Sequence, residues 1–292
     1  MKIYELPSDL FERAAPLFEP AWFDEAFIQA VFEGRQPGRI FVDDQERPTA
    51  ALMTHTFEYY VAGNAESAAM RQFIRDVPTE VGVFEAMYGY CPLNAGWSKA
   101  LLEIYVGSLD VIGRRGFKWF EAVNDVVANW RTLLPPGATM YTLNGRLATR
   151  VDRELNEHIG LMWGGYDKFE ADGFGFCTMF GDNLASVCYT ETVSASQANI
   201  GVVTSPPYRQ RGLASATCAA FVEYCQQHAL MPTWDCDTEN QASAKLALKL
   251  GFQEFAPFQQ LSTSPNHPTQ YSQGLWSKTL HNTVTVWERS GM

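Results

Sequence analysis

A chain of 292 residues that is 46% apolar and 13% aromatic has enough length and apolar content to bury a substantial core in one large domain or two modest ones. Its net charge of −11, split as −7 before residue 135 and −4 after it, leaves no basic stripe for a phosphate backbone; no nucleic-acid partner is expected, and the acidic surface favours a cationic amine by steering. No apolar run reaches the length of a membrane span, and Cys91, Cys177, Cys188, Cys218, Cys225 and Cys236 contain no Cys-x-x-Cys pair, so neither a membrane nor a metal is expected.

The start, Met1-Lys2-Ile3-Tyr4-Glu5-Leu6-Pro7, shows neither the basic segment nor the apolar core of a signal peptide, and a cytoplasmic location is the expectation. Ser8 is placed to cap a short helix holding Leu10 and Phe11, and a second helix at 23–32 stops at Gly34. A strand at 39–42, a turn at 43–48 and a strand at 50–61 read as a hairpin. Helical spacing covers 65–74 and 97–109, followed by a strand at 118–122 and a helix at 126–134. Pro135-Pro136-Gly137 is the clearest break, which gives an N-terminal α/β domain at 1–134 and a second domain at 135–292.

In the second domain a strand at 139–143 and a turn at Asn144-Gly145 precede helices at 152–162 and 166–171. A hairpin, 175–180 and 184–193, leads to a β-branched strand at 200–204 that stops at Ser205-Pro206-Pro207. An alanine-rich helix at 213–229 opens directly after Gly212, with Ala214, Cys218, Phe221, Val222 and Cys225 on one core-facing stripe. The first amides of such a helix have no intrahelical partner, and the helix dipole adds positive potential at the same point. The turn is therefore an anion cradle, open to close approach at Gly212 and Ala214 and rimmed by Arg209 and Arg211; an ordinary turn whose glycine serves only geometry is the competing reading. A buried strand at 232–236 and a helix from Asn240 to its stop at Gly251 follow, and 283–287 alternates like a closing strand.

Arg209, Gly212 and Ala214 match the spacing Arg or Gln, two residues, Gly, one residue, Gly or Ala; 26 residues beyond Ala214, Asn240 opens a helix that ends Lys249-Leu250-Gly251-Phe252. Through these two motifs, residues 170–256 resemble the GNAT superfamily of acyl-CoA-dependent N-acyltransferases, and Trp234-Asp235-Cys236 is similar to a bacterial branch with a long N-terminal extension. The resemblance implies an α/β fold with a mixed, mostly antiparallel sheet flanked by helices. The N-terminal domain is then either a degenerate GNAT-like half or an unrelated lid. It further implies acetyl-CoA as acyl donor, lying in a V between two strands and bound by Val202, Val203, Thr204, Arg209, Gln210, Arg211, Gly212, Leu213, Ala214, Asn240 and Ser243. A backbone N–H near Val203 would polarise the thioester carbonyl, and a small-molecule amine would attack it directly.

Two positions depart from the family pattern. The Tyr that protonates the leaving thiolate is Ala247 in this chain, and the Glu on the strand before the cofactor turn is Asn199. The substitutes are Glu191 and Asp235 for proton acceptance and Tyr208 for a hydroxyl, with Asp237, Tyr189 and Tyr224 behind them. A non-catalytic acyl-CoA binding or sensing module, which keeps the cradle without acid and base, is the alternative function. Trp97, Trp119, Trp130 and Trp163 are either core residues or walls of an acceptor pocket.

Overall fold

The computed structural model describes residues 1–19, 21, 23–56, 58–76, 89–120, 124–255, 257–263, 276–281 and 283–289. In chain order its elements begin with β1 (Lys2–Leu6), α1 (Ala15–Phe18), α2 (Glu25–Phe32), β2 (Arg39–Val42), β3 (Ala50–His55), β4 (Glu58–Gly63), α3 (Ala68–Asp76), β5 (Gly89–Pro92) and α4 (Ala95–Ile104). Next come β6 (Leu109–Trp119), α5 (Asp125–Ala128), β7 (Ala138–Thr142), α6 (Gly145–Leu155), α7 (Ile159–Met162), α8 (Tyr166–Asp172), β8 (Gly175–Phe180) and β9 (Asn183–Val193). The chain continues through β10 (Gln197–Thr204), α9 (Leu213–Gln227), β11 (Met231–Asp237), α10 (Gln241–Lys249), β12 (Phe252–Glu254), β13 (Phe258–Thr263), β14 (Trp276–His281) and β15 (Val284–Arg289).

The chain divides into two compact units, one of Met1–Gly113 with Gln259–Met292, the other of Arg114–Phe258. The boundary expected at Pro135-Pro136-Gly137 thus lies inside the second unit, where the break leads into β7. The reason is β6: its residues from Arg114 to Lys118 pair with Asp237 to Thr233 of β11, which commits that stretch to the second unit. The C-terminal tail returns to the first unit because Asp76, at the end of α3, accepts hydrogen bonds from Trp276 Nε1 at 3.0 Å and Arg289 Nε at 2.8 Å.

In the first unit the strand order is β14-β15-β1-β2-β3-β4-β5-β13, antiparallel except for β4 with β5. Phe41, Phe73, Trp276 and Trp287 meet mostly edge to face in its core. The strand expected at 50–61 is two strands, broken at Thr56 with φ +42°. The helix expected at 97–109 ends at Ile104, and after Gly107 at φ +70° the chain enters β6, nine residues before the strand expected at 118. Residues 121 and 122 of that expected strand lie outside the described residues.

His55, at the end of β3, is buried with its ring edge-on to Phe27 at 5.3 Å, and neither ring nitrogen has a hydrogen-bond partner among the described residues. Burial pushes its pKa down from 6.5 to about 4, so the folded protein keeps the ring neutral while the unfolded chain protonates it. A lowered pKa on a base gives stability that is complete above pH 6.5 and is lost as the pH falls toward 4. Urea unfolding at pH 8 and pH 4.5 should show the wild type losing roughly 2–3 kcal/mol more than His55→Phe over that interval. Equal losses would contradict the buried neutral ring.

In the second unit the order is β6-β11-β10-β9-β8-β7, antiparallel except for β10 with β11, which α9 connects. This is the mixed, mostly antiparallel sheet expected. The turn expected at Asn144-Gly145 is instead a helix start: Asn144 Oδ1 accepts the Leu147 N–H at 2.9 Å, and α6 begins at Gly145 rather than near 152. Both units follow one order: a strand, helices, a three-stranded meander, a helix, a parallel strand and a helix. The repetition favours the degenerate-half reading of the N-terminal region over the lid.

The units differ at their parallel pair. In the first, β4 and β5 stay paired to Val61 and Pro92, Leu93 N–H continues onto Val61 O, and Trp97 Nε1 donates to Ala62 O, so the ladder is closed to a ligand. In the second, the pairing of β10 with β11 ends at Asn199 and Thr233, although both strands run on. The four tryptophans weighed as pocket walls are buried, and each indole N–H has a protein acceptor: Ala62 O, Leu250 O, Glu223 and Thr190 O for Trp97, Trp119, Trp130 and Trp163. They are core residues. All six cysteines are buried and free, and burial pushes the Cys188 thiol well above its ordinary value, which keeps it neutral.

Candidate active site

Past Asn199 and Thr233 the strands β10 and β11 no longer share hydrogen bonds, and the gap between them is the V expected from the motifs. The strand β10 ends at Thr204, Pro206–Tyr208 forms one 3-10 turn, and Gln210 and Gly212 take positive φ values of +61° and +77° to bring the chain into α9. Gly212 is the N-cap residue, and no side chain caps this end, so the leading amides of a fifteen-residue helix face the turn unsatisfied.

Around that helix end opens a cleft of about 710 Å³. Val202, Val203, Thr204, Arg209, Gln210, Gly212, Leu213, Ala214, Asn240 and Ser243 all line it. Of the expected cofactor set, Arg211 is outside the lining; its guanidinium lies over the Tyr208 ring at 5.5 Å. Arg209 is turned back, donating Nε–H to Thr204 O at 3.1 Å, which fixes the turn to the strand end. Asn240 is the N-cap of α10 and accepts from Ser243 N–H at 3.1 Å, while Ser243 Oγ accepts from Trp234 Nε1 at 2.9 Å. The Asn and Ser of the second motif thereby fix one wall of the cleft.

The candidates for proton transfer have different surroundings. Asp235 is ion-paired with Arg114 and also accepts from Asn199 Nδ2 at 3.2 Å, so both of its oxygens are engaged. Asp237 shares the same guanidinium at 2.5 Å. Tyr208 lines the cleft, but its ring stacks on Phe180 at 5.2 Å and 9°. Glu191 stands at an irregularity: Asn199 pairs with Thr192 and Ile200 with Thr190, which leaves Glu191 as the extra residue of a bulge in β9. The bulge carries its side chain over Gly201, where a Cβ would lie 2.9 Å from Glu191 Cγ and 2.6 Å from Tyr189 Cζ. A residue without a side chain is required there to admit both groups.

Several site residues were not foreseen. Lys249 Nζ donates to Ser215 Oγ at 3.1 Å, which places a cation beside the first turn of α9; the sequence showed it only as the helix-ending Lys of the second motif. Tyr189 donates to Glu157 at 2.6 Å, and burial holds the Glu157 carboxyl above the usual carboxylate range. No periodicity marks Glu157, because it lies in the short link between α6 and α7.

A family model described as GNAT acetyltransferase matches residues 15–261. An uncharacterized N-acetyltransferase of Bacillus subtilis (strain 168), YdfB, is 25% identical over 228 residues, which is 77% of this chain and 85% of the relative. Among solved structures, a GCN5-related N-acetyltransferase-like protein from Streptococcus suis 89/1591 superposes with a TM-score of 0.71 at 23% identity, covering 88% of this chain and 99% of that one. A tandem GNAT protein from the clavulanic acid biosynthesis pathway superposes with a TM-score of 0.61 at 11% identity, over 91% of this chain and 99% of its own.

Proposed function

The chain belongs to the GNAT acetyltransferase family, and from that premise we propose that it moves the acetyl group of acetyl-CoA to the nitrogen of a small-molecule amine by direct attack. The observation that supports this most is the coincidence of the uncapped α9 terminus with the place where β10 and β11 cease to pair. The residues present fit the donor. Exposed amides and Lys249 suit a pyrophosphate, the unpaired part of β10 suits the pantetheine amides, and the cleft of about 710 Å³ has the size of a small-molecule site.

Bound there, acetyl-CoA supplies an activated acyl carbon. The register turns the Val203 N–H, expected in this role, toward Val187 of β9, and the neighbouring Val202 N–H, which faces the gap, offers a hydrogen bond to the thioester oxygen as negative charge develops. Glu191, carried over Gly201 by the bulge, accepts the proton released by the amine, directly or through one water. Asp235 is assigned to the structure rather than to proton transfer, because Arg114 and Asn199 use its oxygens. The departing sulfur, an ordinary thiol with a pKa of about 8.5, can take its proton from water without the tyrosine that Ala247 replaces.

Isothermal titration with acetyl-CoA tests the reading, with free adenosine diphosphate as the control ligand. Saturable binding of acetyl-CoA that is tighter than that of the diphosphate is expected, since pantetheine adds contacts along β10. Absence of binding would overturn it.

A further inference from the structure

Glu157 is a carboxylate that forms no salt bridge among the described residues. It is largely buried and accepts one hydrogen bond from the Tyr189 hydroxyl, and no lysine, arginine or histidine among the described residues forms an ion pair with it. Other carboxylates of the second unit are ion-paired, Asp235 with Arg114, Glu154 with Arg150, Glu223 with Arg131 and Glu254 with Arg115. Taking a carboxylate even partly out of water without a counter-charge is unfavourable, and an entering cation relieves that.

The surroundings of Glu157 have room for one. It lines a cavity of about 490 Å³ together with Asp152, Arg153, His158 and Tyr166. Asp152 cannot serve a ligand in the same way, since it accepts the Ile159 and Gly160 N–H groups and the Tyr166 hydroxyl. Arg153 is turned to Glu154 at 2.7 Å. Through Tyr189 the carboxylate is joined to the reaction strand, because the ring carbon bearing the hydroxyl lies 2.6 Å from where a Gly201 Cβ would be, beside Glu191. An independent acceptor stands two residues away on β10. Asn199 is 3% exposed and its Nδ2 is held by Thr233 and Asp235, yet its Oδ1 has no partner among the described residues. Exchanging the amide's oxygen and nitrogen would set oxygen against the Asp235 carboxylate, so the unmatched atom is the acceptor.

We propose that the acceptor enters as a protonated amine and that Glu157 is the specificity-determining carboxylate that receives it, with Tyr189 as its positioning residue. This rests on the acyl-transfer reading above and names the substrate class of that site. An ammonium forms charge-assisted hydrogen bonds with Glu157, whereas an uncharged acceptor of the same shape leaves the buried charge unmatched and is rejected. Binding requires the ionised carboxylate, so it weakens as the pH falls through the raised Glu157 value. The groups facing it set that value: burial and Asp152 raise it, Tyr189 and His158 lower it.

The test uses n-butylammonium and the uncharged isostere 1-butanol as probes of the full chain, with acetyl-CoA titrated in parallel. Saturable binding of the ammonium to the wild type, weakened about tenfold or more in Glu157→Gln, is expected, with 1-butanol unaffected by the substitution and acetyl-CoA affinity retained. Tyr189→Phe, which keeps the ring, should bind the ammonium but move the pH midpoint of binding upward, because the hydrogen bond that lowered the Glu157 value is gone. Equal ammonium affinity in wild type and Glu157→Gln, no saturable ammonium binding, or an unmoved midpoint in Tyr189→Phe would overturn the assignment. Failure of the wild type to bind acetyl-CoA while it still binds ammonium would instead overturn the acyl-transfer reading on which the assignment rests.

Discussion

Gly212→Glu should abolish acetyl-CoA binding, with a loss of at least about 100-fold, or roughly 2.7 kcal/mol. Gly212 is exposed at the mouth of the cleft, and a Cβ built on it meets nothing within 4 Å, so a glutamate side chain enters open space rather than the core. That space is where the α9 amides point, and a carboxylate there competes with the pyrophosphate for the same donors and repels it. The backbone makes a separate contribution: at φ +77° a side chain costs about 1–2 kcal/mol of stability whatever its charge. Gly212→Asn separates the two, since asparagine tolerates this conformation and carries no charge. It should retain affinity to within about tenfold while the glutamate variant loses it. Undiminished binding by Gly212→Glu would mean that the turn is only a turn.

Glu191→Gln should lower kcat by about 100-fold or more and leave acetyl-CoA affinity within about twofold of the wild type. Glutamine keeps the size of the side chain that crosses Gly201 and removes only its capacity to take a proton. Asp235→Asn is the contrasting variant. Its ion pair with Arg114 is half-buried, so the substitution should reduce stability and kcat together rather than kcat alone. If Glu191→Gln turns over at the wild-type rate and Asp235→Asn loses kcat without losing stability, the proton acceptor is Asp235 and the bulge in β9 has another purpose.

The cleft at the α9 terminus was legible because it is local in sequence. A strand stop at Pro206, a glycine that must take positive φ and a helix opening at Leu213 all fall within a few residues, and ten of the eleven residues expected at the cofactor line one cleft. The Arg211 side chain departs from that set because the aromatic face of Tyr208, unlike its spacing from Gly212, depends on the distant Phe180. Residues whose environment comes from far along the chain were less visible. The ion pair of Asp235 depends on Arg114, more than a hundred residues earlier, and the bulge at Glu191 exists only in the register of β9 against β10. The boundary was misread for a related reason. Pro135-Pro136-Gly137 is a strong local break, but unit membership is decided by strand pairing, and helical spacing that continues to residue 109 masks the start of β6. Asn144-Gly145 shows the same ambiguity on a smaller scale: the dipeptide suits a turn and a helix cap equally, and the apolar side of α6 decides between them.

The central claim is acyl transfer to an amine, and the most direct measurement is the amine-dependent release of free thiol from acetyl-CoA by the purified full chain. A panel of primary alkyl amines and diamines, with matched alcohols as controls, should give saturable thiol release with amines alone, and the released thiol should equal the N-acetylated product found by mass spectrometry. Tight binding of acetyl-CoA with no amine-dependent release across the panel would contradict the account and identify the second unit as an acyl-CoA binding module.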